Sequence, residues 1–422
     1  MTFTTHKSCA TTLDAQDELK QYRSQFYIPK KQHTTDDTIY LCGNSLGLQP
    51  KATKHYIQTE LDTWATQGVN GFTQAPYTWL NYNMLLSTNM AAIIGALPSE
   101  VVLMNTLTVN LHLMLTSFYA PTKQRYKILI EHNPFPSDRY AIQSHLTRYG
   151  YTAADALLEP MPIAPSALIT QAQIEAILSA EGEKIALILI GAVNYYTGQL
   201  YDIKAITKLA KSKGIVVGYD LAHAVGNVPL NLHDIGADFA IWCNYKYLNS
   251  GPGSIGGCYV HKCHHGNTTL PKLNGWWGNN VATRFAMAND YDSAATAEDW
   301  QISTPTILAM AAINASLQLF AKVGMAALRA KSEALTGYLY YLLTQNHLPN
   351  IKVLTPSEAS QRGCQLSLLM VNGSKGLFTY LTANNVIADW REPNVIRLAP
   401  VPLYNTFTEV YEVVELIKAY SD

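Results

Sequence analysis

The 422-residue sequence predicts an α/β fold: a large domain with a mostly parallel sheet between helices, joined to a smaller α+β domain. Three observations predict it. Short apolar runs recur, at Val101–Met104, Lys127–Glu131, Ile185–Ile190 and Ile215–Tyr219, and an unbroken apolar run of that length suits a strand buried on both faces. Helical patterns alternate with them, at Gln171–Ala180 and Ile203–Ser212, as βαβ units require. From about Thr306 the texture changes to a long helical stretch followed by an alternating run.

Taken in order, residues 1–45 are assigned to the smaller domain, 46–310 to the large one, and 311–422 again to the smaller one. The opening residues, Met1 to Lys7, lack the apolar core of a signal peptide. The helical stretch Ile307–Phe320 continues through Lys331–Leu343, the alternating run is Cys364–Met370, and a terminal helix is expected over Phe407–Tyr420. Charged residues make up 14% and the net charge is −1, so no basic face points to nucleic acid or an anionic membrane. No run approaches the length of a membrane span. Cys9, Cys42, Cys243, Cys258, Cys263 and Cys364 form no disulfide framework for a chain this long, which favours a reducing cytoplasm. The cluster from Cys258 to His265 lacks a matched second ligand pair and overlaps a predicted strand, so structural roles suit it better than a metal.

The chemistry concentrates where one apolar run ends in Asp220, with His223 three residues on and Lys246 between Tyr245 and Tyr247. A pyridoxal phosphate (PLP) enzyme needs a lysine amine to hold the aldehyde as a Schiff base and a carboxylate to keep the ring nitrogen protonated. Taken singly, Lys246 could be a surface lysine and Asp220 a helix cap; His223, expected on the same helical turn as Asp220, could be a core histidine. Together they favour the PLP reading. Ligands of parallel sheets bind beyond the strand C-termini, and polar residues stand there: Thr108 at a helix start, suited to a phosphate or merely capping, and Phe135 to Asp138 after another strand. Arg397 lies in an apolar stretch and needs an anionic partner: a substrate carboxylate or a structural acid.

These blocks resemble the kynureninase family of fold-type-I PLP enzymes over nearly the whole length. The resemblance rests on Tyr40–Gly47, Leu107–Leu111, Phe135–Asp138, Tyr195–Gln199, Asp220–Asn227, Tyr245–Asn249, Arg362–Leu366 and Arg397–Tyr404. It implies hydrolysis of L-kynurenine to anthranilate and L-alanine in tryptophan degradation, with links to NAD biosynthesis. Lys246 is then the Schiff-base lysine and a proton carrier with Tyr245; Asp220 meets the pyridine nitrogen, and His223 lies near the ring. Leu107, Thr108 and Tyr245 hold the phosphate, Phe135 stacks on the ring, and Pro136, Ser137 and Asp138 complete the cofactor shell. Trp276 and Thr304 reach the phosphate from the partner of a homodimer. Arg397 clamps the substrate carboxylate, with Phe72 and Ser303 beside the substrate.

The chain departs from the family pattern at three positions. Gly191 stands where some relatives have serine, Thr304 where animal members have asparagine, and Phe72 in place of their histidine. The last two favour plain L-kynurenine over the 3-hydroxy form. The rival on the same fold is a cysteine desulfurase using Cys364 as nucleophile. A nicotinamide oxidoreductase is disfavoured, because no Gly-x-Gly-x-x-Gly follows a predicted strand.

Overall fold

In the computed structural model, which describes residues 2–74, 77–163 and 167–420, thirteen strands are seen among the described residues. They are β1 (Ile39–Tyr40), β2 (Val101–Leu103), β3 (Lys127–Ile130), β4 (Leu157–Leu158), β5 (Ile185–Gly191), β6 (Val216–Asp220), β7 (Phe239–Cys243), β8 (Gly256–Val260), β9 (Ile351–Val353), β10 (Leu366–Met370), β11 (Val386–Ile387), β12 (Asp389–Arg391) and β13 (Val395–Leu398). Seven form one sheet in the order β2-β8-β7-β6-β5-β3-β4. Only β8 runs against its neighbours in that sheet.

The continuous apolar runs mark this sheet because it is covered on both faces. Along β5 every residue is buried. Leu187 and Leu189 enter one core while Ile188 and Ile190 enter the other, as the two-residue period of a strand dictates. Phe239 and Ile241 of β7 split from Ala240 and Trp242 in the same way. The connecting helices carry the expected start signals. Asp202 accepts a hydrogen bond from the Ala205 amide at 3.0 Å ahead of helix Ile203–Ser212, and Thr170 and Gln173 form a capping box ahead of Gln171–Glu181.

A four-stranded antiparallel sheet, β12-β13-β10-β9, forms the second layer system. Helices Met325–Gln345 and Phe407–Ala419 close its core through Leu335, Leu339, Leu342, Val410 and Val413. The N-terminal helix Lys7–Gln16 contributes Ala10 and Leu13 to that core, and β1 pairs with β11. The boundary expected at residue 310 falls inside helix Ile307–Val323, whose Met310, Ile313, Leu317 and Phe320 pack into the larger sheet's core.

The structure corrects three expectations. The long helical stretch is two helices, bent by 84° about Gly324, whose φ of 78° a continuing helix cannot use. The run Cys364–Met370 does not alternate in burial. Leu366, Leu368 and Met370 enter the small core, while Ser367 on the other face donates to the Tyr196 carbonyl at 2.6 Å. No helical turn links Asp220 and His223, because residues 221–227 form successive tight turns. No single helix among the described residues is long and apolar enough to cross a membrane.

Candidate active site

Five strands of common direction deliver one pocket at their C-terminal ends. Leu107 and Thr108 follow β2, while Glu131, Phe135, Ser137 and Asp138 follow β3. Gly191, Val193 and Tyr195 end or follow β5, Asp220, Ala222 and His223 end or follow β6, and Tyr245 and Lys246 follow β7. Asn105 (φ 49°) and Asn133 (φ 47°) make the sharp exits from β2 and β3; asparagine tolerates that left-handed conformation better than most residues.

Lys246 Nζ lies 2.9 Å from His223 Nε2 and 5.8 Å from the centre of the Phe135 ring. Burial first, and the Lys246 charge second, hold the His223 imidazole well below its usual pKa, so it is neutral. Its Nδ1 is buried without a hydrogen-bond partner. The lysine loop is pinned from the N-terminal segment: the Gly47 amide donates to the Tyr245 carbonyl at 2.8 Å. A Cβ on Gly47 would collide with the Lys246 carbonyl oxygen and with Asn249, so only glycine permits this approach.

Two helices, Leu107–Phe118 and Pro136–Arg148, start at the pocket, and neither has a side-chain cap. In the second, Pro136 has no N–H and the Asp138 amide donates to the Phe135 carbonyl at 3.0 Å, so the Ser137 amide, with those opening the first helix, is what these starts offer an anion. Thr108 Oγ1 and Ser137 Oγ meet at 2.7 Å between them. Thr108 is inside the helix and Thr106 occupies the N-cap, so the simple capping role for Thr108 does not hold. Asp220 Oδ1 accepts from the Ala222 amide at 2.7 Å; Asp220 thus orders the following turn while its carboxylate faces the pocket.

Asp138 lies against Asp220. Burial, then the charge and hydrogen bond of Asp220, push its carboxyl well above the usual range, which favours a proton on Asp138. Its Oδ1 is buried and unpartnered. Tyr245 likewise keeps its phenolic proton, chiefly through burial. This donor set fits PLP: converging helix starts with two hydroxyls for the phosphate, a carboxylate for the ring nitrogen, a lysine for the aldehyde, and the Phe135 ring beside them.

Some expected residues lie outside this chain's pocket, Trp276 and Thr304 among them as the expectation of a partner's site requires. Pro136 is the exposed first residue of its helix. Phe72 packs edge-on against Trp79 with ring centres 5.2 Å apart. Trp276 is exposed and donates to the Arg284 carbonyl at 3.1 Å, and Ser303 and Thr304 are exposed just ahead of helix Ile307–Val323. None of these five lines this chain's pocket. Arg397 is buried behind Tyr195, donating to its carbonyl oxygen at 2.8 Å, and pairs with Asp389 at 2.8 Å.

Glu131 lines the pocket without having been expected there. Burial raises its carboxyl to about 7, and Asn194 Nδ2 donates to it at 2.8 Å. Its Oε1 stands 2.9 Å from where a Cβ on Gly191 would be, so glycine at 191 makes room for Glu131, and a serine there would require it to shift. The sequence signal was available: Glu131, like Asp220, is an acid closing an apolar run.

Comparison with known proteins agrees with this geometry. Residues 328–417 match the family model for the kynureninase C-terminal domain. A kynureninase from Myxococcus xanthus is 48% identical over 419 residues, covering 99% of this chain and 98% of that protein. Among solved structures, C-DES with glycine linked to its PLP cofactor superposes with a TM-score of 0.75 at 18% identity, covering 90% of this chain and 96% of the other. The cysteine desulfurase CsdA from Escherichia coli gives 0.76 at 16% identity, over 94% and 97%. At those identities the two structures share the fold alone.

Proposed function

The chain belongs to the kynureninase family, and from that premise we propose that it hydrolyses L-kynurenine to anthranilate and L-alanine with PLP as its cofactor. The observation that carries the reading is the meeting of Lys246, Asp220 and the two uncapped helix starts in one pocket, in a chain so similar to kynureninases over its full length. Bound PLP supplies an electron sink for charge left at Cα and Cβ of an amino acid.

The chain's own groups do the rest. The Thr108 and Ser137 hydroxyls and the helix starts would hold the phosphate, and Asp220 would keep a proton on the pyridine nitrogen. Asp138, itself protonated, leaves the Asp220 charge unopposed. Lys246 Nζ would hold the aldehyde and, when free, would carry the proton at substrate Cα. The neutral His223 beside it takes no charge of its own, so the lysine is free to exchange its proton. Tyr245, retaining its phenolic proton, donates within the same pocket. Phe135, beside Lys246, screens the reacting atoms from water. Phe72 and Thr304 stand where histidine and asparagine would meet a ring hydroxyl, and the absence of those two favours L-kynurenine over its 3-hydroxy form. Six unpaired thiols suit a reducing cytoplasm.

Cysteine desulfuration is not supported. Cys364 is buried, does not line the pocket, and burial raises its thiol to about 12, whereas a nucleophile needs an accessible thiolate. The test is direct: purified protein with PLP is incubated separately with L-kynurenine, 3-hydroxykynurenine and cysteine. Anthranilate and alanine are expected from the first at the highest rate; alanine from cysteine alone would overturn the reading.

We assign Trp276 and Thr304 to the pocket of a second copy of this chain. Both are exposed, and exposed apolar side chains surround Trp276 in sequence: Leu273, Val281, Phe285 and Met287. Such a patch suits a subunit interface. Mixing Lys246→Ala with Trp276→Ala protein after joint refolding should recover about a quarter of wild-type activity, because half the dimers are hybrids and each has one intact site. No recovery would place Trp276 outside the partner's site.

A further inference from the structure

We propose that Arg391 is a second anchor for the substrate α-carboxylate, sharing it with Arg397 across Asp389. The inference rests on the function proposed above and deepens it. Strand β12 places Asp389 and Arg391 two residues apart, hence on one face, and the register sets Asp389 directly opposite Arg397 of β13.

Asp389 therefore bridges two guanidinium groups. It takes Arg391 NH2 at 3.0 Å and Arg397 NH2 at 2.8 Å. Arg397 is almost fully spoken for: Nε reaches Asp389 Oδ1 at 3.1 Å, NH1 the Tyr195 carbonyl at 2.8 Å, and NH2 also Ser45 Oγ at 3.0 Å. A carboxylate arriving at Arg397 alone finds little of the fork left for two-point binding.

Arg391 differs. Its side chain is 38% exposed, and its Nε is buried with no hydrogen-bond partner. Two cations against one carboxylate leave the cluster with one uncompensated positive charge, carried at its half-exposed edge by Arg391, where an arriving anion can pair with it. Arg397 donates to the carbonyl of Tyr195, which lines the pocket that holds Lys246, and Arg391 shares Ser45 Oγ with Arg397 at 3.5 Å, so the cluster borders that pocket. An amino-acid carboxylate is the anion that this pocket's chemistry brings.

The test uses the PLP-loaded enzyme, with L-alanine as a ligand that has the carboxylate and ethylamine as one that lacks it, both followed by the cofactor's absorbance. Arg391→Gln is expected to weaken L-alanine binding and raise the KM for L-kynurenine about tenfold or more, with kcat falling far less. Ethylamine binding should stay as in the wild type, and Arg391→Lys, which keeps the charge but not the fork, should fall between. L-alanine affinity within about twofold of wild type in both variants would overturn the proposal, as would equal weakening of L-alanine and ethylamine. Should Arg391→Gln fail to fold, the Lys variant decides by the same comparison. Failure of the functional reading looks different: the wild-type enzyme would not split L-kynurenine, while the alanine and ethylamine titrations would still report on Arg391.

Discussion

Replacing Lys246 with alanine is expected to lower L-kynurenine hydrolysis by about a thousandfold or more, since both the covalent hold on the cofactor and the proton carrier at Cα are lost. Two properties of the site make the effect specific. Nζ contacts His223 at 2.9 Å, and the His223 imidazole is held neutral, so no neighbouring cation stands ready to substitute. The lysine is also fixed by a backbone clamp rather than by its own side chain: the Gly47–Tyr245 hydrogen bond persists in the variant, so the loop and the fold should be retained. The measurements are borohydride reduction followed by peptide mass, which should find PLP on Lys246 in the wild type and nowhere in the variant, and thermal unfolding, which should change little. A small primary amine added to the variant should restore part of the rate. Retention of activity, or a PLP adduct on another lysine, would remove Lys246 from its role.

The legibility of this chain follows from the range of the interactions involved. Runs such as Ile185–Ile190 are readable because burial on two faces is written in consecutive residues. Asp220 was readable because a charge at the end of such a run has a burial cost that needs a reason. Glu131 carries the same signal one residue past β3, but a single acid at the end of a run does not by itself distinguish a pocket from a turn. The break at Gly324 was hidden because helical periodicity continues on both sides of it. The partner of Arg397 was beyond reach for a different reason. Sequence showed that the guanidinium needed an anion, and either a substrate or an acid would answer; only the register of β12 against β13 brings Asp389 opposite it. Ser303 exposes the same limit at a larger scale, since its position relative to this chain's own pocket depends on how long loops pack.

Asp220→Asn should be nearly as damaging as loss of the lysine, and it isolates charge from shape. The asparagine Oδ1 can still accept from the Ala222 amide, as Asp220 does at 2.7 Å, and the pairing of β6 with β5 and β7 is untouched. Folding and the turn carrying His223 should therefore survive. What disappears is the negative charge that, in the role proposed for Asp220, would keep the pyridine nitrogen protonated and the cofactor electron-withdrawing. Activity is expected to fall about a hundredfold to a thousandfold, the scale for removing one preorganised electrostatic contact, while PLP still attaches to Lys246. A second, independent readout follows from Asp138. Its carboxyl is pushed up by burial and then by the Asp220 charge and hydrogen bond; in the variant only the burial contribution and weaker charges remain, so its titration should move downward toward the ordinary carboxylate range. Infrared titration of the carboxyl band in the cofactor-free protein would follow that shift. A variant that retained full activity would show that Asp220 only orders its turn, and an unmoved Asp138 would show that burial alone keeps that proton in place.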